Sequence, residues 1–126
     1  MVRRTLLIAL LASLSGCSTW FQSEYEDPSY DVNEAQKALA TALDAWKQGK
    51  TASLLKQQPA IKFTDDDLRM GLQLISYEIS DPASIGPFKD VAVKLELRTR
   101  DGRSVSRAAT YQVSLMPAIS VSRSDT

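Results

Sequence analysis

Cys17 carries the only thiol of the 126-residue chain, and its position gives that thiol a chemical role. It comes shortly after the apolar run Leu6–Leu14, which is preceded by the basic pair Arg3-Arg4. A run of about seven to fifteen apolar residues behind a positive end is typical of a secretory signal, whereas a membrane-spanning helix needs about twenty. The small residues Ser15-Gly16 leave the backbone before the cysteine open to a peptidase. A thiolate at this place is a competent nucleophile for alkylation.

The segment Leu14-Ser15-Gly16-Cys17 resembles the lipobox of bacterial lipoprotein signal peptides, which has the form Leu-(Ala/Ser)-(Gly/Ala)-Cys. The resemblance implies that a diacylglyceryl group is attached to the Cys17 sulfur and that cleavage before Cys17 makes it the new N-terminus. In this family a further acyl chain, such as palmitate, often follows on the new amine. One acyl chain holds a protein on a membrane marginally, while two or more anchor it stably. The sequence therefore predicts a lipid-anchored protein outside the cytosol, with residues 1–16 as the signal peptide.

Two other interpretations of this segment stay open. An ordinary secretory signal can end in a cysteine by chance, and a short anchoring helix could use the same apolar run. The polar residues Ser18-Thr19 do not extend that run far. Ser18 also bears on the choice of membrane. In enteric-type sorting an Asp after the lipidated cysteine would hold the protein at the inner membrane, so Ser18 favours the outer one.

The other reactive side chains argue against an enzyme. The chain has no histidine, and the resemblance assigns its cysteine to lipid, which excludes a Ser-His-Asp triad, a Cys-His pair and an ordinary zinc site. Its five glycines are scattered and form no phosphate-binding loop. A carboxylate pair could act as general acid and base, with Glu78, Asp81 and Asp90 as candidates. We expect no catalytic residue and no cofactor.

Three adjacent carboxylates, Asp65-Asp66-Asp67, suggest a divalent-cation site, because hard cations prefer oxygen ligands. Adjacent residues rarely converge on one ion, however, and no acidic or glycine pattern completes a loop around these three. The favoured interpretation is a helical turn capped by Thr64 or Asp65, with the other acids near the positive end of its dipole. We therefore predict no metal site.

Charge excludes the basic footprint that is typical of nucleic-acid binding. Without residues 1–16 the chain keeps 126 − 16 = 110 residues, a size typical of one domain, and 15 − 2 = 13 basic against 15 acidic side chains. Basic residues do gather around one predicted hairpin. They could meet an anionic partner such as lipid headgroups or lipopolysaccharide, or form a solvated face that blocks strand addition. These residues are Lys94, Arg98, Arg100, Arg103 and Arg107.

The first ordered element is predicted to be a helix over Asp31–Gln48, after a tether over residues 17–30. Asp31 and Glu34 form a capping-box-like pair, and Gly49 occupies the place where a left-handed residue should end the helix. Alanines on the apolar face let a broad surface such as a sheet approach closely. That face consists of Ala35, Leu39, Ala42, Leu43 and Trp46.

The rest of the domain is predicted to be mostly sheet. A short helix over Thr51–Gln57, capped by Thr51 or Ser53, and a short strand over Ala60–Thr64 come first. The later strands are predicted over Leu72–Ser80, Phe88–Arg100 and Arg103–Leu115, with a final short edge strand over Ala118–Ser122 and a loose tail over Arg123–Thr126.

Two details of strand pairing follow from the pattern. A change of phase between Leu74 and Ile75 indicates a bulge or burial on both faces. A three-residue loop with Gly102 in the left-handed conformation keeps apolar partners on one face of the central hairpin. In that register Leu97 lies opposite Val105, Val93 opposite Ala109 and Val91 opposite Tyr111.

This order of elements predicts one α+β domain over residues 31–126. One main N-terminal helix packs on a curved antiparallel sheet of about four strands. The order resembles cystatin-like folds, including the cone folds of the nuclear transport factor two-like group. Such cone folds often enclose a pocket between helix and sheet, with walls here at Trp46, Tyr77 and Tyr111.

Two functions remain at this stage. The first is a non-catalytic lipoprotein of the bacterial cell envelope that binds or scaffolds an envelope protein or cell-wall partner. The second is a module that holds a small apolar ligand in a pocket. A connected apolar cavity between helix and sheet would favour the second, and a filled core with an exposed patch would favour the first.

Overall fold

The computed structural model describes residues 29–125, which form one main helix on a five-stranded mixed sheet. The predictions for residues 1–28, including Cys17 and most of the tether, lie outside the described residues. The elements are, in chain order, α1 (Val32–Lys47), a 3-10 helix (Thr51–Leu55), β1 (Ile61–Thr64), α2 (Asp66–Arg69), β2 (Gln73–Ile79), a 3-10 turn (Pro82–Ser84), β3 (Val91–Arg98), β4 (Ser104–Ser114) and β5 (Ile119–Arg123). Within residues 29–125, no helix combines the length and apolar character needed to cross a bilayer.

Helix α1 forms as its sequence predicts. The Asp31 side chain accepts a hydrogen bond from the Glu34 backbone N–H at 3.2 Å, and Gly49 ends the helix with φ +70°. The predicted apolar face is buried, and Ala38 and Ala45 extend it. Because four of its buried residues are alanines, α1 can lie close to the sheet.

The sheet confirms the α+β class but corrects its details. The strand order is β1-β5-β4-β3-β2, and the sheet curls into a half-barrel. The prediction of about four antiparallel strands is wrong, because β1 adds a fifth strand that runs parallel to β5. β5 is therefore not the edge strand that was predicted. The short strand predicted over Ala60–Thr64 is present as β1, but its partner β5 is too distant in the chain for a turn motif to reveal the pairing.

The central hairpin has the predicted register. Leu97 pairs with Val105, Val93 with Ala109 and Val91 with Tyr111. Gly102 has φ +89°, as the three-residue loop requires. The bulge is confirmed as well, since the β2–β3 register shifts between Leu74 and Ser76.

The second helix and the C-terminal tail differ from the prediction. The second helix is a 3-10 helix whose N-cap is Lys50, so neither Thr51 nor Ser53 caps it through its side chain. The tail is not loose up to residue 125. Arg123 ends β5 with its side chain buried, and the Ser124 N–H donates to the Thr110 carbonyl at 2.8 Å.

Candidate functional site

The acidic turn at α2 is held against the sheet by Arg123. Asp65 is the N-cap of α2, and one of its carboxylate oxygens accepts the Leu68 N–H at 3.0 Å. Tyr111 and Arg123 are cross-strand neighbours on β4 and β5, so their side chains share the buried face of the sheet. The turn and the two strands thus converge on one group of side chains, which we call the aspartate–arginine cluster: Asp65, Asp67, Arg107, Tyr111, Arg123 and Asp125.

Arg123 lies at the centre of the aspartate–arginine cluster. Its Nη1 donates to both carboxylate oxygens of Asp65 at 3.2 Å and to Oδ2 of Asp67 at 3.0 Å. Its Nε and Nη2 bind the carboxylate of Asp125. The guanidinium also lies 5.9 Å from the centre of the Tyr111 ring. All three nitrogens of this guanidinium therefore donate hydrogen bonds within the domain.

The remaining members complete the cluster. The Tyr111 hydroxyl donates to Oδ2 of Asp65, and Arg107 Nε donates to Oδ2 of Asp67 at 3.3 Å. Arg107 therefore pairs with an acidic residue of the cluster, whereas the sequence analysis grouped it with the basic residues around the β3–β4 hairpin. The side chains of Asp65 and Arg123 are 0% and 7% exposed, so their ion pair is sheltered from solvent.

The pKa shifts of the cluster follow from burial and pairing. Burial raises the pKa of Tyr111, and its hydrogen bond to Asp65 raises it further. Burial alone would lower the pKa of Arg123, but hydrogen bonds to Asp125 and Asp67 outweigh it and raise that pKa. For Asp125, burial opposes ionisation, but Arg123 and the Thr110 N–H lower its pKa on balance. The ionised pair of Asp125 and Arg123 therefore stabilises the fold above the ordinary carboxyl pKa and loses that contribution on acidification.

These contacts give the acidic turn a structural role. Guanidinium groups occupy the positions around Asp65 and Asp67, while the exposed Asp66 pairs with Arg69 at 2.7 Å. Over the described part of the chain, no group of three metal-binding side chains is present, and every buried side-chain nitrogen or oxygen has a hydrogen-bond partner. Of the two predicted caps, Thr64 and Asp65, the structure has Asp65, whereas the role of Arg123 was not predicted. The alternation Ile119, Val121, Arg123 places Arg123 on the same face of β5 as two apolar residues, and this pattern could have predicted its burial.

The three aromatic residues predicted as pocket walls lie in different surroundings. Trp46 and Tyr111 are buried, and the half-exposed Phe63 lies between them with ring centres 6.1 and 6.2 Å away. Trp46 Nε1 donates to the Leu72 carbonyl at 3.0 Å. Tyr77 lies apart from this group, and its hydroxyl donates to Oδ1 of Asp44 on α1 at 2.8 Å. None of the three borders the two cavities described next, and their role as pocket walls stays a prediction.

Tyr77 should make the fold sensitive to alkali. Burial and the hydrogen bond to Asp44 raise its pKa from 10.0 to about 12. Because the folded chain holds this proton more tightly, the stabilisation is complete below the unfolded pKa and is lost as the pH rises through the folded one. We expect Tyr77→Phe to lose less stability than the wild type across this window in urea unfolding at a series of pH values. Parallel loss in both proteins would contradict the assignment.

The first cavity has a volume of about 200 Å³ and lies where the chain enters the domain. Tyr30 borders it and donates from its hydroxyl to the Val113 carbonyl of β4 at 2.8 Å. Its other walls come from the loop before β3, the end of β4 and β5. They are Ser29, Pro87, Phe88, Gln112, Val113, Ser114, Leu115, Met116 and Ser122.

The second cavity is a groove of about 290 Å³ between α1 and the β1–β5 pair. Ala38, Ile61 and Ile119 contribute apolar surface, and Pro59 closes one side. Charged and polar side chains of α1 form a rim, including Glu34 and Lys37. Small-molecule pockets have volumes of about 300–1,000 Å³, so this groove is at the lower limit.

In comparisons with protein-family models, with curated proteins and with solved structures, nothing matched this chain. Its function therefore has to be inferred from the residues and contacts described above.

Proposed function

We propose that the protein is a lipid-anchored lipoprotein of the bacterial cell envelope whose small α+β domain is a non-catalytic binding or scaffolding module. One observation carries the proposal: Leu14-Ser15-Gly16-Cys17 has a lipobox residue at every position and holds the only cysteine. Diacylglyceryl on Cys17 would hold the domain on the membrane, and Ser18 favours the outer membrane. An envelope protein or a cell-wall component is the proposed partner.

The side-chain chemistry of the domain supports a non-catalytic role. Its most buried charged side chains, Asp65 and Arg123, form an ion pair with each other. The candidate acid Asp90 accepts hydrogen bonds from Gln112 at 2.8 Å and from Ser124 at 2.9 Å. The carboxylates of Asp65 and Asp90 therefore make contacts that hold strands or turns of the domain together. The order of a helix followed by strands still resembles cystatin-like and cone folds, with the parallel β1–β5 pair as a departure.

A small apolar-ligand module is the second candidate, and the groove beside α1 favours it. Its floor is apolar and its rim is polar, which is the usual arrangement of a ligand site. A ligand there would contact Ala38, Ile61 and Ile119 rather than the three aromatic residues predicted from the sequence. Binding of a small apolar ligand in this groove would distinguish the two functions.

Replacing the cysteine tests the anchor directly. When the full chain is produced in a bacterial host, we expect intact-mass measurement of the membrane fraction to show loss of residues 1–16 and gain of acyl chains at Cys17. Cys17→Ser removes the sulfur that carries the lipid, so we expect this variant to carry no acyl chain. Ser15→Ala is the matched control, because Leu-Ala-Gly-Cys still fits the box. An unmodified thiol at Cys17, or an intact initiator end, would contradict the proposal.

A further inference from the structure

Phe88 and Met116 are the most exposed large apolar side chains of residues 29–125, with 89% and 73% of their surface accessible. Phe88 lies in the loop before β3, and Met116 lies in the loop after β4. Because Val91 at the start of β3 pairs with Tyr111 near the end of β4, both loops extend beyond the same end of the sheet. Both side chains also border the first cavity. We call Phe88 and Met116 the apolar tip.

The chain enters the domain beside the apolar tip. Ser29 and Tyr30 border the same cavity, and the hydrogen bond from Tyr30 to Val113 fixes this point to β4. Cys17 precedes Ser29 by 29 − 17 = 12 residues, which can span at most about 40 Å. A lipid on Cys17 would therefore keep this end of the domain within about 40 Å of the bilayer.

The opposite end of the sheet has a different character. Strand β3 runs for eight residues, about 23 Å, from the apolar tip to Arg98. The basic residues Arg100 and Arg103 lie in the loop between β3 and β4, where Arg103 pairs with the exposed Asp101 at 3.1 Å. Met70 is also at this end, since β2 begins three residues later and Gln73 pairs with Arg98. The domain thus has an apolar end where the chain enters and a basic end away from it.

The backbone at Phe88 has an unusual conformation, although its ring is exposed. Its φ is +60°, a conformation that is rare for a bulky residue. The ring nevertheless gains little packing within the domain, because it is almost fully exposed. The neighbouring Lys89 is exposed as well and offers a cation beside the ring.

We propose that the apolar tip is a membrane-contact surface, with Phe88 and Met116 inserted between the headgroups of the bilayer that holds the lipid of Cys17. This inference rests on the proposed function. Interfacial binding combines buried apolar area with cations that meet lipid phosphates, and Lys89 supplies such a cation. The carboxylates Glu24, Glu26 and Asp27 precede the domain and oppose a purely electrostatic attraction. The contact is therefore mainly apolar and should persist at high salt. The basic end then faces away from this membrane.

Spin labels can measure the depth of each end. Phe88→Cys and Met116→Cys place a label at the apolar tip, and Met70→Cys is the matched control because Met70 is 68% exposed at the opposite end. Lipid occupies the Cys17 sulfur, so the introduced thiol is the one that reacts. The lipidated chain is placed in vesicles of phosphatidylethanolamine and phosphatidylglycerol. The accessibility of each label to oxygen, which enters hydrocarbon, is compared with its accessibility to a water-soluble nickel chelate.

We expect the ratio of oxygen to nickel accessibility to be severalfold higher at positions 88 and 116 than at position 70, at low and at high salt. Equal ratios at all three positions, with lipid on Cys17 confirmed by mass, would overturn the inference and leave the anchor intact. If the labels at positions 88 and 116 are protected from both oxygen and the nickel chelate only at high protein concentration, the inference is also overturned, because a second copy of the chain then covers the apolar tip. A chain without lipid on Cys17 would overturn the proposed function and this inference with it.

Changing Phe88 and Met116 together to serine should also increase the mobility of a label at position 70 severalfold, and unchanged mobility would count against the inference.

Discussion

Replacing Asp65 by alanine should lower the free energy of unfolding by about 3–5 kcal/mol, because it breaks a buried ion pair and leaves a buried hydroxyl without its acceptor. Arg123 would keep Asp67 and Asp125 but lose the carboxylate that it contacts through two oxygens. Tyr111 would lose the acceptor of its buried hydroxyl. The Leu68 N–H would lose its cap as well, which alone contributes about 1 kcal/mol. Urea unfolding of residues 18–126, followed by circular dichroism, measures the change.

Asp66→Ala is the matched control, since it removes the same side chain one position further on. Asp66 pairs only with Arg69, and both side chains are exposed. Exposed pairs contribute little, so we expect a loss within about 0.5 kcal/mol. Asp65→Asn should fall between the two variants, because an amide can still cap α2 and accept from Tyr111 but carries no charge for Arg123. Equal losses for Asp65→Ala and Asp66→Ala would refute the claim that the aspartate–arginine cluster stabilises the fold.

The parts of the fold that the sequence predicts well are those with local signals. Helix α1 has a cap at Asp31, an apolar face and a glycine stop, and each determines structure within a few residues. The β3–β4 hairpin has strict alternation and a turn at Gly102, which together leave one register with apolar partners. The fold class follows from these two elements, since the helix and the hairpin must bury their apolar faces against each other.

The parts that the sequence does not predict depend on contacts between distant residues. Strand β1 pairs with β5, and nothing near Ile61 or Ile119 specifies that pairing. The same applies to Arg123, which is buried only because Asp65 and Asp67 arrive from another part of the chain. A basic residue near the C-terminus is normally solvated, so the sequence favours a loose tail. The tertiary contact overrides that preference.

The candidate functional surfaces also differ in whether the sequence alone predicts them. Cys17 stands out from a local motif, and the structure does not describe that region. The apolar tip stands out only after folding, because Phe88 and Met116 are distant in sequence and become neighbours at one end of the hairpin. Under the two proposals together, the apolar tip faces the membrane and the basic residues around Arg100 face away from it.

Trp46→Ala should lower the free energy of unfolding by about 3–5 kcal/mol, because removing a large buried ring leaves a cavity that the surrounding structure fills only in part. Trp46 is 3% exposed at the end of α1. It contacts Phe63 of β1 edge-on and donates to the Leu72 carbonyl before β2. The ring therefore connects the main helix to both outer strands of the sheet. Trp46→Phe should lose less, since it keeps most of the apolar volume and gives up the hydrogen bond, a loss of about 1–3 kcal/mol.

Phe88→Ala provides the control for removing an aromatic side chain. Phe88 is almost fully exposed, so we expect its removal to change the free energy of unfolding in water by no more than about 0.5 kcal/mol. The contrast separates packing in the core, at Trp46, from the membrane contact proposed for Phe88. A ring at the wall of a solvent-filled pocket would lose far less stability on truncation than a ring packed in a filled core. A loss below about 1 kcal/mol for Trp46→Ala would therefore contradict the packing of this ring in the core.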